Sequence, residues 1–138
     1  MKIGIVSGGF DPIHVGHIEL INRAKEISDC VIVILNSDEF LINKKGKPFM
    51  PYEEREIILN NIRNVFQVFK SIDKDHTVCE SLRFLRRIWN EDVQLLFCNG
   101  GDRTNGENTP EHKLCEELGI DTIYGLGDKI QSSSWLTK

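Results

Sequence analysis

Two histidines three residues apart, His14 and His17, close the run Gly8-Gly9-Phe10-Asp11-Pro12-Ile13-His14-Val15-Gly16-His17. A neutral imidazole donates one hydrogen bond and an imidazolium two, so a pair of them suits negative charge building up on phosphate oxygens. In a first helical turn, the i, i+3 spacing lets both rings meet one ligand. Gly8 and Gly9 lack a Cβ and tolerate positive φ, which permits a sharp turn and a close approach to that ligand. A helix opening near Gly16 adds unpaired N–H groups and a positive dipole end. A lone histidine would read as part of a polar loop. The combination, placed between a strand and a helix, predicts a polyphosphate site built from Gly8, Gly9, Phe10, Asp11, His14, Gly16 and His17.

Such a turn needs a buried strand before it and a helix behind it. The run Ile3-Gly4-Ile5-Val6 supplies the first and the pattern from Ile18 to Ile27 the second. Further short apolar, β-branched runs predict strands at Lys2 to Ser7, Cys30 to Asn36, Asn64 to Phe69, Val93 to Cys98 and Ile120 to Tyr124. Helical patterns lie between them. Val78, Leu82, Leu85 and Trp89 recur at helical spacing, Pro110 opens another helix and Gly119 stops it. Strict alternation implies an α/β fold with a single doubly wound, five-stranded parallel sheet of Rossmann-like type. Ligands of such sheets sit beyond the carboxyl ends of the strands. The Gly8 to His17 turn, Asn99-Gly100-Gly101-Asp102-Arg103 after strand four and Ser132-Ser133-Ser134 after strand five would then converge on one rim.

Composition sets limits on partners. At 138 residues the chain is expected to be one domain, burying about two thirds of its unfolded surface without staples. The net charge of −4 and the lack of a Lys/Arg stripe argue against a nucleic-acid surface. Cys30, Cys79, Cys98 and Cys115 follow no C-x-x-C spacing, so they read as reduced thiols of a cytoplasmic protein, with no zinc site. No apolar run approaches the length of a membrane span and no signal-peptide pattern opens the chain. Segment Gly101 to Gly106 has the outer frame of a P-loop, but Glu107 stands where that loop requires lysine, so that reading is rejected.

The run ending in His14-Val15-Gly16-His17 resembles the HxGH signature of the nucleotidyltransferase superfamily. That superfamily includes glycerol-3-phosphate cytidylyltransferase, the adenylyltransferase domain of ADP-heptose synthase and, more remotely, pantetheine-phosphate adenylyltransferase and class I aminoacyl-tRNA synthetases. Asn36-Ser37-Asp38-Glu39-Phe40, Lys44-Lys45-Gly46-Lys47-Pro48, Tyr52-Glu53-Glu54-Arg55 and Ile62-Arg63 are similar to the same family in the same order, and Ile130-Gln131-Ser132-Ser133-Ser134-Trp135-Leu136 resembles its second signature. The resemblance implies a HIGH-type nucleotidyltransferase. Lys44 and Lys47 would reach over the triphosphate and the acceptor phosphate from a solvated, lid-like stretch. Arg55 and Arg63, otherwise candidates for an exposed helix face, would contact substrate. Gly101, Asp102 and Arg103 would hold base, ribose or phosphate, and Ser132, Ser133 and Ser134 the β- and γ-phosphates from a helix N-terminus.

The expected reaction is in-line attack by the phosphate of a small phosphorylated alcohol or sugar on the α-phosphorus of CTP or ATP, with Mg²⁺ and loss of pyrophosphate. Asp11 is the nearest carboxylate for metal or structural support. The family's arginine before the Ser/Thr triplet is replaced here by Lys129, within Gly127-Asp128-Lys129, and Phe66 stands where glycerol-phosphate enzymes carry an aspartate. Both departures leave the acceptor and the CTP-versus-ATP choice open. The resemblance also implies a homodimer, with the helix face of Ile58 and Ile62 as either a subunit contact or internal core. A nucleotide-sensing module without turnover is the rival class, and His76 and His112 are read as surface residues.

Overall fold

The structure is a computed structural model that describes residues 1–75, 77–100 and 109–126. Five strands, β1 (Lys2–Gly8), β2 (Cys30–Leu35), β3 (Val65–Lys70), β4 (Gln94–Gly100) and β5 (Asp121–Leu126), form one parallel sheet in the order β3-β2-β1-β4-β5. Ile5 lies level with Ile32 on one side and Phe97 on the other. The expected strands are therefore present, each end within about two residues of its predicted limit. After β3 the chain returns to the far side of β1, so the order reverses between β1 and β4 and opens a crevice at their carboxyl ends.

Helices cover both faces because the strands are apolar on both. Ile3, Ile5, Ile32, Ile34, Leu95 and Phe97 pack against Leu82 and Leu85 of α4 (Cys79–Ile88) and against Leu114 and Cys115 of α5 (Pro110–Leu118). Val6, Val31, Val33, Leu35, Leu96 and Cys98 pack against Ile21 and Ala24 of α1 (Val15–Glu26) and against Tyr52 and Leu59 of α3 (Tyr52–Asn60). Helix α5 begins at Pro110 behind a Thr109 cap and ends at Gly119, whose φ of 70° is the left-handed conformation that glycine adopts without penalty. Burial of the Cys98 and Cys115 thiols pushes both up to about 12, as expected of inert core residues.

One element departs from expectation. The stretch anticipated as a solvated loop around the lysines begins instead as helix α2 (Asp38–Lys45), where the Ser37 hydroxyl accepts the Phe40 N–H at 3.1 Å and Asp38 and Glu39 occupy the first turn. Only residues 46–51 form the connection to α3. The cap and the acidic start favour a helix over the loop that the polar composition suggested.

Candidate active site

Strand β1 delivers the chain to the turn at the carboxyl rim. The expectation that Gly8 and Gly9 supply a left-handed turn is not met: among the described residues the positive φ in this turn, 48°, belongs to Phe10. A bulky side chain rarely adopts that backbone, so burial must hold it there. The Phe10 ring is buried and lies edge-on to His17, centroids 4.8 Å apart. Gly9 packs closely, since a Cβ there would come within 2.9 Å of the end of the Leu41 side chain, which would have to shift.

His14 is the N-cap of α1 and His17 its third residue. The Nδ1 of His14 accepts the Gly16 N–H at 3.0 Å, and the Nδ1 of His17 accepts the His14 N–H at 3.1 Å. An Nδ1 that accepts carries no proton, so each neutral ring holds its proton on Nε2. The helix start thus fixes one tautomer for both neutral rings, with the proton on Nε2, the atom able to donate to an anion. The imidazoles stack with centroids 3.8 Å apart. Burial, with His14 as a smaller contribution, lowers His17 to about 4, so the ring is neutral at physiological pH.

Two charged side chains anchor the next segment to this turn. Both Asp11 carboxylate oxygens accept backbone N–H groups at 2.6 Å, one from Phe49 and one from Met50. Arg55, named above as a substrate contact or an exposed helix residue, is neither here: it is 1% exposed. Its guanidinium donates to the carbonyls of Met50, Gly9 and Asn36 and to the Asp38 carboxylate at 2.7–3.0 Å. A planar fork reaches several acceptors at once, and this one joins the β1 turn, the end of β2, the start of α2 and the 46–51 segment.

The remaining expectations divide by position. Lys47 is exposed on the segment that Asp11 holds, and Lys44 belongs to the last turn of α2, so both lie on the chain leading into the rim. Arg63 is exposed in the turn between α3 and β3. Because crossover helices run antiparallel to the strands, that turn is at the amino edge, opposite His14 and His17, and Arg63 takes no part in this site within one chain. Gly101, Asp102, Arg103, Lys129, Ser132, Ser133 and Ser134 lie outside the described residues, as does His76. His112 is more than a surface residue. Its Nδ1 lies 2.8 Å from the Tyr124 hydroxyl and its Nε2 2.9 Å from Glu116.

The side chains offer little to a metal ion. Asp11 is committed to backbone donors, and no group of three or more His, Cys, Asp or Glu able to hold a metal occurs among the described residues. Among the described residues they build no cage for Mg²⁺.

The profile described as cytidylyltransferase-like matches residues 5–128. A glycerol-3-phosphate cytidylyltransferase of Bacillus subtilis is 44% identical over 68 residues, 49% of this chain and 53% of that protein. The chain thus aligns with about half the length of that relative. One of the same name from Bacillus spizizenii is 44% identical over 126 residues, 91% of each chain. The bifunctional protein HldE of Wolinella succinogenes is 38% identical over 139 residues, 96% of this chain and 27% of that protein. Among solved structures, a lipopolysaccharide core biosynthesis protein from Thermoplasma volcanium superposes with a TM-score of 0.67 at 18% identity, covering 91% of this chain and 94% of that one, a likeness of fold.

Proposed function

The chain belongs to the cytidylyltransferase-like family, and on that premise we propose that it transfers a nucleoside monophosphate from a nucleoside triphosphate to a small phosphorylated alcohol or sugar, releasing pyrophosphate. CMP is the favoured group, on the strength of the glycerol-3-phosphate cytidylyltransferase that aligns over 91% of both chains. The HldE match over 96% of this chain favours, as a second reading, adenylyl transfer to a sugar phosphate. The observation that carries the proposal is the reciprocal capping of His14 and His17, which sets a pair of imidazoles at a helix N-terminus with fixed Nε2–H donors.

An oxygen of the acceptor phosphate forms a bond to the α-phosphorus while the bond from that phosphorus to the β-phosphate bridging oxygen breaks. The nucleophile is already an anion, so no base is needed, and catalysis consists of positioning and charge stabilisation. The Nε2–H groups of His14 and His17 donate to oxygens on which charge builds, and Lys44 and Lys47 offset the repulsion between the two anions. Mg²⁺ would enter as the counter-ion of the nucleotide, bridging substrate phosphates and few protein groups. Gly8, Gly9, Phe10, Asp11 and Gly16 shape the turn. Gly101, Asp102, Arg103, Lys129 and the serines at 132–134 are assigned to the nucleotide by their motifs.

The proposal also places the protein in the cytoplasm as a homodimer. Four free cysteines and the lack of any described helix able to span a membrane support the first. An unpaired edge strand β3, with Phe66 62% exposed beside an α3 that exposes Ile57 at 61%, supports the second. The deciding experiment is pyrophosphate release with CTP and ATP, each against a panel of phosphorylated alcohols and sugars. Release that requires both a nucleotide and an acceptor is expected, and nucleotide binding without release would favour a sensing module.

A further inference from the structure

One buried polar group near the rim has no role in the account above. Asn36 is the first residue after β2 and is 5% exposed. Its main chain is fixed on both sides, the N–H donating to the Gly8 carbonyl at 3.0 Å and the carbonyl accepting from Arg55 at 2.7 Å. Strand alternation continues Ile32 and Ile34 into Asn36, toward the face that α4 and α5 cover. Yet its side-chain Oδ1 is buried and meets no hydrogen-bond donor.

The neighbouring buried polar groups are all engaged. Ser71, Asp73 and Ser81 bond to one another, and Asp73 also accepts the N–H groups of Glu80 and Ser81 at the start of α4. The Asn99 amide reaches the Phe97 carbonyl and Arg55 has its acceptors. The other orphan among the described residues, Trp89 Nε1, belongs to the C-terminal end of α4, at the amino edge of the sheet. Asn36 therefore stands alone at the carboxyl rim, beside Gly8 and between the β1 turn and the start of α2.

Burying an unpaired carboxamide end costs free energy that an apolar residue would avoid. A ligand group that completes it recovers that cost only when bound. A hydroxyl suits both orientations of a carboxamide, since it donates to the oxygen or accepts from the nitrogen. On the proposed function the nucleotide phosphates are assigned to the β1 turn and the N-terminus of α1, and the β2 side is then assigned to the other substrate. We propose that Asn36 is a specificity-determining residue that hydrogen-bonds a hydroxyl on the carbon skeleton of the phosphorylated acceptor. This inference rests on the nucleotidyltransferase reading given above.

The test compares wild type with Asn36→Ala, and with Asn36→Val should the alanine variant fail to fold. Acceptors are glycerol 3-phosphate and its two monodeoxy analogues, 3-hydroxypropyl and 2-hydroxypropyl phosphate. Wild type is expected to favour glycerol 3-phosphate over one analogue by about 10- to 100-fold in kcat/KM, the effect of leaving one buried polar group unpaired. The substitution should abolish that preference, leave the KM for CTP unchanged and not lower the Tm, because no internal hydrogen bond is lost. A variant that keeps the preference, or one that loses several degrees of Tm while both acceptors suffer equally, assigns the amide to a buried water or to structure and overturns the inference. Wild type that releases no pyrophosphate with these three acceptors or with any member of the wider panel of phosphorylated alcohols and sugars, with CTP or ATP, counts against the parent reading and removes the inference with it.

Discussion

The Nδ1 of His17 accepts the main-chain N–H of His14, and the two rings stack 3.8 Å apart. The Nδ1 of each imidazole thus serves the helix cap, and Nε2 is the nitrogen that carries the proton. His17→Ala would remove both functions together, the cap alone being worth about 1 kcal/mol. His17→Asn separates them, because the asparagine oxygen occupies nearly the place of Nδ1. We expect His17→Asn to keep a Tm close to wild type and to lower kcat by about a hundredfold or more. Unimpaired turnover in the folded variant would remove His17 from the chemistry.

Acid should weaken the fold through the same ring. In the unfolded chain the His17 imidazole takes up a proton near 6.5, whereas in the fold burial holds protonation off until about 4. Between these values the unfolded state binds the extra proton, so stability is full above the upper value and declines as pH falls toward the lower. Protonation also places a hydrogen on Nδ1 and removes the cap acceptor. Melting curves of wild type and His17→Asn, close together at pH 7, should diverge as the pH drops to 4, with wild type falling below the variant, and parallel curves would contradict this origin.

Arg55 is expected to be a stability residue whose loss also disorders the site. Arg55→Met leaves the carbonyls of Gly9, Asn36 and Met50 without their donor and Asp38 without its partner, a loss of roughly 3 kcal/mol or more. Arg55→Lys should recover little, since a single ammonium cannot span the same acceptors. Urea unfolding measures both. A loss confined to activity, with stability intact, would return Arg55 to the substrate.

Asp11 predicts a protease phenotype. Asp11→Ala frees the main chain at Phe49 and Met50, so trypsin should cut after Lys45, at the start of this connection, several-fold faster than in wild type. Nucleotide plus acceptor should slow that cleavage in wild type if Lys47 closes on bound anions. Cleavage indifferent to both the substitution and the ligands would leave the segment a plain surface loop.

Assembly is checked by light scattering at micromolar protein. A particle of twice the chain mass is expected, and Phe66→Glu should shift it to monomer mass by placing a charge on the exposed β3 edge. A fully active wild-type monomer would exclude the dimer.

The five strands were legible because buried parallel strands are written as unbroken apolar runs, and the turn at Gly8 to His17 because its residue types have few other uses. Helix α2 was hidden by its composition, although Ser37-Asp38-Glu39 carried a start signal that the lysines beyond it obscured. Arg55 was misplaced because an arginine in a charged helical stretch looks solvated. Its acceptors are main-chain carbonyls, which leave no trace in residue identity. The same blindness applied to Phe10, whose backbone conformation is one that its side chain type argues against. His112 was passed over because its partner Tyr124 lies across the boundary between α5 and β5.

The acceptors gathered by Arg55 at Gly9, Asn36 and Asp38 are 46, 19 and 17 residues away along the chain. The ten letters from Gly8 to His17 look like a portable cassette, but their shape is imposed from afar. A peptide carrying them, or a graft of them onto a foreign strand and helix, would lack the guanidinium that holds the Gly9 carbonyl and the segment that Asp11 fastens. Closing such long loops is slow and costs entropy that only the packed sheet offsets. The turn should therefore mature late in folding, after β1, β2 and α3 have docked, and a nascent chain released before Arg55 emerges would bear the motif without its form.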